Sequence, residues 1–460
     1  MLMLVAVPIG LRSCSGESDR WRAASAMELY LDGDKQAAIE QLTEVSERLP
    51  EDYQIKLKLG TWLLDDQQAE QALQVVKQVP ENWQDREITS LIQRCYLALG
   101  QPNMALQEYQ RVNPADATRS PDQLLMHRNS LSYYQALASQ DLPLALENSN
   151  FVADSLANYW NGRHNLPMSA TFQAFFCTAR IYQHVLEQSD TTPEKKEVYQ
   201  RDALEILTGA IDLLRSEHEK LKAARSKRDA VVDQESNSVG DAALRGDKGA
   251  ADQQSIQDLT PETQRDLAQQ KPPSKKVQLK RMDDVAQSLA AMLTLRAMVF
   301  QSTEQLTASF EDRQQVADLG FDPEQVRQML PDFAECNFHL DSLASVLDTR
   351  GCVHLQLKNL QKALVDLNVA IAAQTALVEV VELAPRTSIE VSLDPRQQRQ
   401  TFVLAPRRTL AVLLYHRACV YQLGVTQAGS IREKTRLRRS MLKDLFQIHE
   451  LGFQPGSHLN

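Results

Sequence analysis

The chain has 460 residues, of which 43% are hydrophobic and 24% charged, with only 16 glycines. This composition suits a folded helical protein and excludes a fibrous or mostly disordered one. The formal net charge is −10, but from Arg386 onward twelve Lys and Arg stand against five Asp and Glu. An acidic body therefore precedes a basic C-terminal region.

The first segment, residues 1–16, begins with the apolar run Met1 to Leu11, which has no preceding Lys or Arg and is too short to span a bilayer. Residues 11–14 partly resemble a bacterial lipoprotein cleavage site before Cys14, although Arg12 fits that pattern poorly. Lipidation, a truncated signal or anchor, and a plain terminus all stay open. The sequence therefore allows membrane association through this segment, and it leaves localisation open between the cytoplasm and a membrane tether.

From residue 17 to 223 the sequence predicts an N-terminal array of paired amphipathic helices, because apolar residues recur at helical spacing between turn residues such as those at 32–34. The small and apolar residues that mark the second to fourth pairs are Leu59, Gly60, Leu63, Ala72, Val76, Val79, Ile92, Tyr96, Ala105, Tyr109, Val112, Ala136, Ala145 and Val152. Longer helical patterns at 168–187 and 193–223 are predicted to end this array.

Residues 224–280 are rich in Ser, Asp, Gln, Gly and Lys and lack periodic apolar residues, which predicts a flexible linker. A second array is predicted over 281–460. It contains helices at 283–302 and 323–329, and a hairpin from 347 to 383. A small β-hairpin is predicted from 388 to 404. The last pair combines a helix at 409–424 with one at 441–451, separated by the basic segment 431–440, which we interpret as an insertion.

The best pair has apolar residues on one face at Leu360, Ala363, Leu364, Leu367, Ala370 and Ile371. Together with Gly351 and His354, these positions resemble the tetratricopeptide repeat (TPR), a helix-turn-helix unit of about 34 residues. Only the aromatic residue of the family pattern is replaced, by His354. The resemblance implies an all-α fold, an α-solenoid of TPR-like helix-turn-helix repeats in two sub-arrays, because a single hairpin cannot cover its apolar stripe.

The resemblance also implies a non-catalytic scaffold or adaptor, because TPR proteins bind extended peptides or partner helices along the concave face formed by the first helices. The fifth and ninth positions of those helices are expected to face the groove, and they are Leu57, Thr61, Ser90, Arg94, Ser130, Tyr134, Asp348 and Cys352. We select Arg94 and Tyr134 as partner-binding candidates, with the partner's identity open. The Lys/Asn/Arg clamp of chaperone-binding relatives is missing, so binding of chaperone tails is not predicted.

The alternative function is docking on an anionic surface, either a membrane or a nucleic acid, through the basic C-terminal region. The cluster that suggests it is Arg432, Lys434, Arg436, Arg438 and Arg439. Such a run is also typical of a solvated helix face. Nucleic acid is the less favoured surface, because no aromatic residues that could stack on bases are interleaved with these cations.

Metal binding and catalysis are not predicted. The six cysteines are widely spaced without C-x-x-C, which favours buried thiols over a zinc ribbon. Three Cys/His pairs could supply ligands if the last helices packed together: Cys336 with His339, His416 with Cys419, and Cys352 with His354. However, His354 holds the aromatic core position. No nucleotide, hydrolase or metalloprotease motif is present, so neither a cofactor nor an enzyme activity is predicted.

Overall fold

The computed structural model describes residues 7–83, 86–114, 118–164, 166–187, 192–245, 275–383 and 405–454. Within these ranges the chain forms α-helices and one 3-10 turn, and no strand. In chain order the helices are α1 (Val7–Asp32), α2 (Lys35–Arg48), α3 (Tyr53–Asp65), α4 (Ala69–Lys77), α5 (Arg86–Ala98), α6 (Pro102–Val112), α7 (Pro121–Leu137), α8 (Leu142–His164), α9 (Ala170–Glu187), α10 (Pro193–Arg245), α11 (Lys275–Ser302), α12 (Leu306–Asp318), α13 (Pro323–Met329), α14 (Phe333–Gln356), α15 (Leu360–Leu383), α16 (Ala405–Gln427) and α17 (Ile431–Glu450). The predicted all-α class is confirmed.

Short polar residues cap the starts of several helices. The Asp34 side chain accepts a hydrogen bond from the Ala37 backbone N–H at the start of α2, and Asp52 does the same for Ile55 at the start of α3. At α7 the Ser120 and Gln123 side chains form a reciprocal capping box. These caps satisfy backbone donors that the first helical turn leaves unpaired, so the boundaries follow from local sequence.

The chain divides into two compact units, of which unit 1 comprises Met1–Leu156 and Phe338–Asn460. Its N-terminal part contains the hairpins α1/α2, α3/α4 and α5/α6, followed by α7 and the start of α8. One alanine is completely buried in each of the five second helices α2, α4, α6, α8 and α15, whereas α17 has no alanine. These residues are Ala38, Ala72, Ala105, Ala145 and Ala363. The hairpins are therefore TPR-like, and the predicted α-solenoid is confirmed.

Stacking in unit 1 does not follow chain order. Ala136 and Ala145 from α7 and α8 share a core cluster with Cys352 and Val353 of α14. A further cluster joins α15 to α16, through Leu367 and Val420. The fourth hairpin is therefore followed in space by α14/α15 and then by α16/α17. The predicted arrays, 17–223 and 281–460, divide the chain differently, because helix periodicity shows that a face is apolar without showing which helix covers it.

Unit 2, Ala157–Asn337, is built from α9 to α13 with the end of α8 and the start of α14. Its core includes fully buried Phe176, Ile211 and Met292. Within it, α11 packs against α9, α10, α12 and α13. The pair Arg296 and Asp312 joins α11 to α12 by two hydrogen bonds of 2.8 and 2.7 Å. These helices exceed the repeat length, as their sequence indicates.

Two predicted boundaries are corrected. Helix α10 continues to Arg245, so residues 224–245 are helical rather than a flexible linker. The Ala, Arg, Lys and Glu residues of this stretch favour helix even where the sequence lacks apolar periodicity. The basic segment 431–440 is part of α17 rather than an insertion before it, because Ser430 caps the helix by accepting from the Glu433 N–H at 3.2 Å.

Other predicted features fall partly or wholly outside the described ranges. The proposed hairpin at 388–404 and residues 246–274 of the proposed linker are not among the described residues. In the N-terminal segment, description begins at Val7, the first residue of α1. Within the described ranges, no helix combines the length and apolar character that crossing a bilayer requires.

Candidate partner-binding groove

The first helices of three successive hairpins, α3, α5 and α7, line two adjoining clefts of unit 1. The first cleft has a volume of about 640 Å³ and is lined by Gln54, Leu57, Lys58, Thr61, Arg86, Glu87, Ser90, Leu91 and Arg94. The second has a volume of about 340 Å³ and is lined by Arg86, Thr89, Ser90, Gln93, Tyr109, Asn113, Arg119, Gln123, Met126, His127, Ser130 and Tyr134. We call these two clefts together the groove.

Six of the eight positions expected to face the groove lie on its wall: Leu57, Thr61, Ser90, Arg94, Ser130 and Tyr134. On α5, Arg86, Ser90 and Arg94 are spaced one helical turn apart, so they form one stripe along the wall. The remaining two positions, Asp348 and Cys352 of α14, are largely or completely buried. They contact His416 of α16 and are not exposed to the groove.

Arg94 lies at one end of the first cleft with its guanidinium largely buried. Its Nη2 atom is 3.8 Å from the Asp65 carboxylate and makes no hydrogen bond within the described part of the chain. Burial lowers the pKa of Arg94, and the nearby Arg408 lowers it further. Arginine stays protonated under such shifts, so the cleft contains a desolvated positive charge with free donor capacity.

Asp65, at the end of α3, is shared by three side chains. Arg408 of α16 approaches its carboxylate to 3.1 Å, closer than Arg94 does. Burial and the charge of Asp65 raise the pKa of Tyr30, whose ring stacks on Trp62 at 4.3 Å. The last hairpin of unit 1 thus contributes a cation beside the first cleft. Asp65 neutralises Arg408 more effectively than it neutralises Arg94, because the Coulomb energy falls with distance.

Tyr134 lies on the wall of the second cleft, but its hydroxyl already forms a hydrogen bond within the chain. It donates to the Gln93 side-chain oxygen at 2.7 Å, and its ring packs against Tyr109 at 5.1 Å. The Tyr109 hydroxyl in turn donates to the His127 carbonyl at 3.0 Å. Burial raises the pKa of Tyr109 to about 12 and lowers that of His127. Tyr134 can therefore offer a ligand mainly its ring surface.

The wall of the groove carries more positive charge than the repeat positions predict. Among the described residues, its wall carries Lys58, Arg86, Arg94 and Arg119 and a single carboxylate, that of Glu87. Lys58, Arg86 and Arg119 were not predicted as site residues. Extending the stripe of Ser90 and Arg94 by one turn toward the helix start would have found Arg86. Arg119 precedes α7 in a loop, where no helical spacing points to it.

The predicted C-terminal cluster lies on α17. Arg432, Arg436, Arg438 and Arg439 are exposed and Lys434 is partly buried, and none of the five forms an ion pair within the described ranges. Three large apolar side chains on the same helix are also exposed, Ile431 by 84%, Leu442 by 59% and Phe446 by 64%. On the helix, these three lie within about 60° of one another with cations on either side, from the helical repeat of 3.6 residues.

The fold and this groove together define the class: an all-α protein with an α-solenoid of TPR-like hairpins. No family model matches the chain, and no curated protein matches it. Among solved structures, the crystal structure of yeast Tom70 is similar over 95% of this chain and 84% of its own, at 13% identity and a TM-score of 0.24. The structure of Naa15/Naa10 bound to HypK-THB is similar over 94% of this chain and 78% of its own, at 11% identity and a TM-score of 0.24. Neither TM-score supports an inference about function.

Proposed function

We propose that the chain is a non-catalytic scaffold that binds protein partners along the groove of unit 1, and that the bound segment is an extended peptide with acidic side chains. The observation that supports this most strongly is the charge of the groove. In the part of the chain that the structure describes, four cations and one carboxylate line the groove, although the whole chain has a net charge of −10. A cationic wall in an acidic protein favours an anionic ligand and disfavours cationic ones.

Arg94 is the proposed anchor. Its Nη2 atom is buried at the wall of the first cleft without a hydrogen-bond acceptor in the described residues, and a carboxylate of the ligand supplies one. A guanidinium holds a carboxylate by two parallel hydrogen bonds, which fixes orientation as well as charge. Arg86, one end of the stripe on α5, borders both clefts and is placed to bind a second acidic residue of the same segment.

Tyr134 and Met126 line the second cleft and give it an apolar contact surface. The exposed side chain of Met126 can adapt to differently shaped ligand side chains. The proposed peptide therefore has acidic residues over the first cleft and an apolar residue over the second. The backbone N–H and C=O groups of an extended peptide are unpaired before it binds. Polar residues on the groove wall, such as Ser90 and Ser130, are suited to form hydrogen bonds with these backbone groups.

The test selects ligands from a random peptide library displayed on phage, using the full chain as bait. Selected peptides are synthesised, and their dissociation constants are measured by fluorescence anisotropy. We expect enrichment of Asp and Glu, and a loss of affinity of about 10-fold or more in Arg94→Gln and Arg86→Gln, since hydrogen bonds to charged groups contribute about 1.5–3 kcal/mol. Affinity should also fall as salt is raised.

Arg201→Gln is the matched control, because Arg201 is an exposed residue of α10 whose ion pair is with the adjacent Asp202. It removes the same charge away from the groove and should leave the dissociation constant unchanged. Selected peptides without acidic residues, or equal affinity in Arg94→Gln and the wild type, would contradict the proposed ligand. An equal loss in Arg201→Gln would show an effect of net charge alone.

A second candidate function is docking on an anionic membrane through α17. The exposed Ile431, Leu442 and Phe446, flanked by cations, form the pattern of a helix that lies in a membrane interface. Cosedimentation with phosphatidylserine-containing vesicles, compared with phosphatidylcholine vesicles, tests it. Binding that depends on anionic lipid and is lost in Arg438→Gln/Arg439→Gln supports this function. No binding to either vesicle rejects it and leaves the groove as the functional surface.

A further inference from the structure

A cluster of metal-binding side chains lies inside unit 1, away from the groove. Asp348 and Cys352 are one turn apart on α14, and His416 projects toward them from α16. One ligand atom of each lies within 4.8 Å of the other two. The His416 Nδ1 atom is 2.7 Å from an Asp348 carboxylate oxygen. Oxygen, sulfur and nitrogen donors thus converge from two different helices.

A fourth donor is available on the same helix face as His416. Cys419 follows His416 by three residues on α16, and its thiol is partly buried and free. Burial raises the pKa of the Cys352 thiol, while His416 acts to lower it and Cys419 to raise it. Burial likewise raises the pKa of Cys419, against the influence of His416. The Cys419 thiol is not one of the three ligand atoms that lie within 4.8 Å of one another, so its side chain has to turn toward them to complete a four-ligand site.

We propose that Asp348, Cys352, His416 and Cys419 form a structural site for a zinc ion or a similar divalent transition metal. Tetrahedral zinc with these donor types separates neighbouring ligand atoms by about 3.3–3.8 Å, from bond lengths of about 2.0–2.3 Å. Three of the donors already lie within 4.8 Å of one another. The contact between Asp348 and His416 has to open by only about 0.6–1 Å to admit the ion.

Charge and burial select this class of metal. The carboxylate of Asp348 and the thiolates of Cys352 and Cys419 supply three negative charges against the two charges of the ion, so the ion removes most of the charge that these ligands would otherwise carry in a buried place. Calcium and magnesium prefer sites built of oxygen, whereas thiolate and imidazole together favour zinc. Tyr133 of α7 packs near the His416 ring, with their centroids 6.0 Å apart, and helps to separate the site from solvent.

The bound ion would link the first helices of the last two hairpins. α14 and α16 supply two ligands each, so the ion constrains their separation in addition to the apolar contacts between α15 and α16. Four protein ligands leave no open position, which is typical of a structural rather than a catalytic zinc site. This inference does not depend on the ligand proposed for the groove.

The test is direct metal binding by the full chain. The protein is stripped with a chelator, dialysed and titrated with Co²⁺, which reports tetrahedral thiolate ligation by visible and near-ultraviolet absorption, and then with Zn²⁺ in competition. We expect one ion per chain. Cys352→Ser and His416→Gln should weaken binding by more than about 100-fold, because even loss of a residue behind a ligand costs about 10–100-fold. Cys419→Ser should also weaken it.

Cys95→Ser is the matched control, since Cys95 is a completely buried free cysteine of α5 in the same unit. It should bind Co²⁺ as the wild type does. A wild-type chain with an intact helical circular-dichroism spectrum that takes up no Co²⁺ overturns the proposal, as does equal binding by Cys352→Ser and Cys95→Ser. The cluster is then a buried hydrogen-bonded ion pair. The wild-type titration decides the matter even if a variant fails to fold.

Discussion

Replacing Asp366 by leucine is expected to cost unit 1 about 3–5 kcal/mol of unfolding free energy. Asp366 of α15 accepts two hydrogen bonds from the Arg350 guanidinium of α14, from Nε at 2.8 Å and from Nη2 at 2.7 Å. The two side chains are only 5% and 17% exposed. The substitution removes the carboxylate that accepts both of these hydrogen bonds from a largely buried guanidinium, and the loss of that partner accounts for the cost.

The double variant Arg350→Met/Asp366→Leu separates this cause from lost packing. Two apolar side chains of similar size remove both charges, and replacing a buried ion pair in this way is often neutral or stabilising. We therefore expect the double variant to lie within about 1 kcal/mol of the wild type. The single and double changes are then strongly non-additive, as expected for two residues in contact.

Urea unfolding followed by tryptophan fluorescence measures these differences, since Trp21, Trp62 and Trp83 of the four tryptophans belong to unit 1. Glu44→Leu is the control. Glu44 pairs with Arg48 on the surface of α2, with side chains 65% and 46% exposed, and its loss should cost less than about 1 kcal/mol. Far-ultraviolet circular dichroism checks that each variant keeps its helices.

The reasoning fails if Asp366→Leu costs no more than Glu44→Leu. It also fails if the double variant is as unstable as the sum of its single changes, because stability would then come from packing or geometry around each residue rather than from the charge of the pair. A cost that disappears at high salt would likewise place the pair in solvent, contrary to its burial.

Further predictions use helix packing and pH. Gly351→Ala should destabilise unit 1 by about 1–3 kcal/mol in the same urea assay, because the new Cβ would lie 2.9 Å from Leu367 Cγ. Gly209→Ala in unit 2, where the new Cβ meets nothing within 4 Å, should stabilise its helix by about 0.5–1 kcal/mol when urea unfolding is followed by far-ultraviolet circular dichroism. Ala72→Leu should overpack the completely buried site in α4 at a cost of about 1–3 kcal/mol, seen as a lower urea midpoint. Burial lowers the pKa of His127 in the folded chain, so as pH falls below about 6.5 the unfolded chain binds more protons than the folded chain does. The unfolding free energy should therefore decrease as pH falls below this value. Urea midpoints measured across pH should show a less steep decrease in His127→Gln than in the wild type.

Local features of the fold were predictable from the sequence because their causes are local. Helix α13 begins and ends at the residues that Pro323 and the following pattern predict. The buried alanines of the second helices follow from repeat spacing alone. By contrast, the apolar pattern predicts a start for α17 at residue 441, whereas the helix begins at Ile431. The many cations of residues 431–440 leave only a sparse apolar stripe, although Ser430 and Glu433 are typical of a helix start.

The order of stacking could not be read from the sequence, because it depends on contacts between residues far apart in the chain. Asp348 and Cys352 occupy positions that face the groove in a regular array, so the repeat alignment predicts that they lie on its wall. In the structure, Tyr133 of α7 and His416 of α16 cover this part of α14. Cys352 therefore lies beside His416 rather than beside His354. This contact depends on the packing of α14 against α16, and the residue spacing within a single helix does not predict it.

The position of Arg94 on the groove wall was predictable, but its electrostatic surroundings were not, and these surroundings bear on the ligand that we propose for it. Its position at the ninth residue of a first helix placed it on the wall, but its electrostatic state depends on Asp65 and Arg408, which come from other hairpins. Arg408 is 3.1 Å from the Asp65 carboxylate and Arg94 is 3.8 Å from it, so one negative charge is shared between two cations. A ligand carboxylate at Arg94 would relieve this shortage of negative charge without displacing an existing hydrogen bond. Arg408, from the last hairpin of unit 1, therefore changes the electrostatic surroundings of Arg94 in a groove that the first hairpins form.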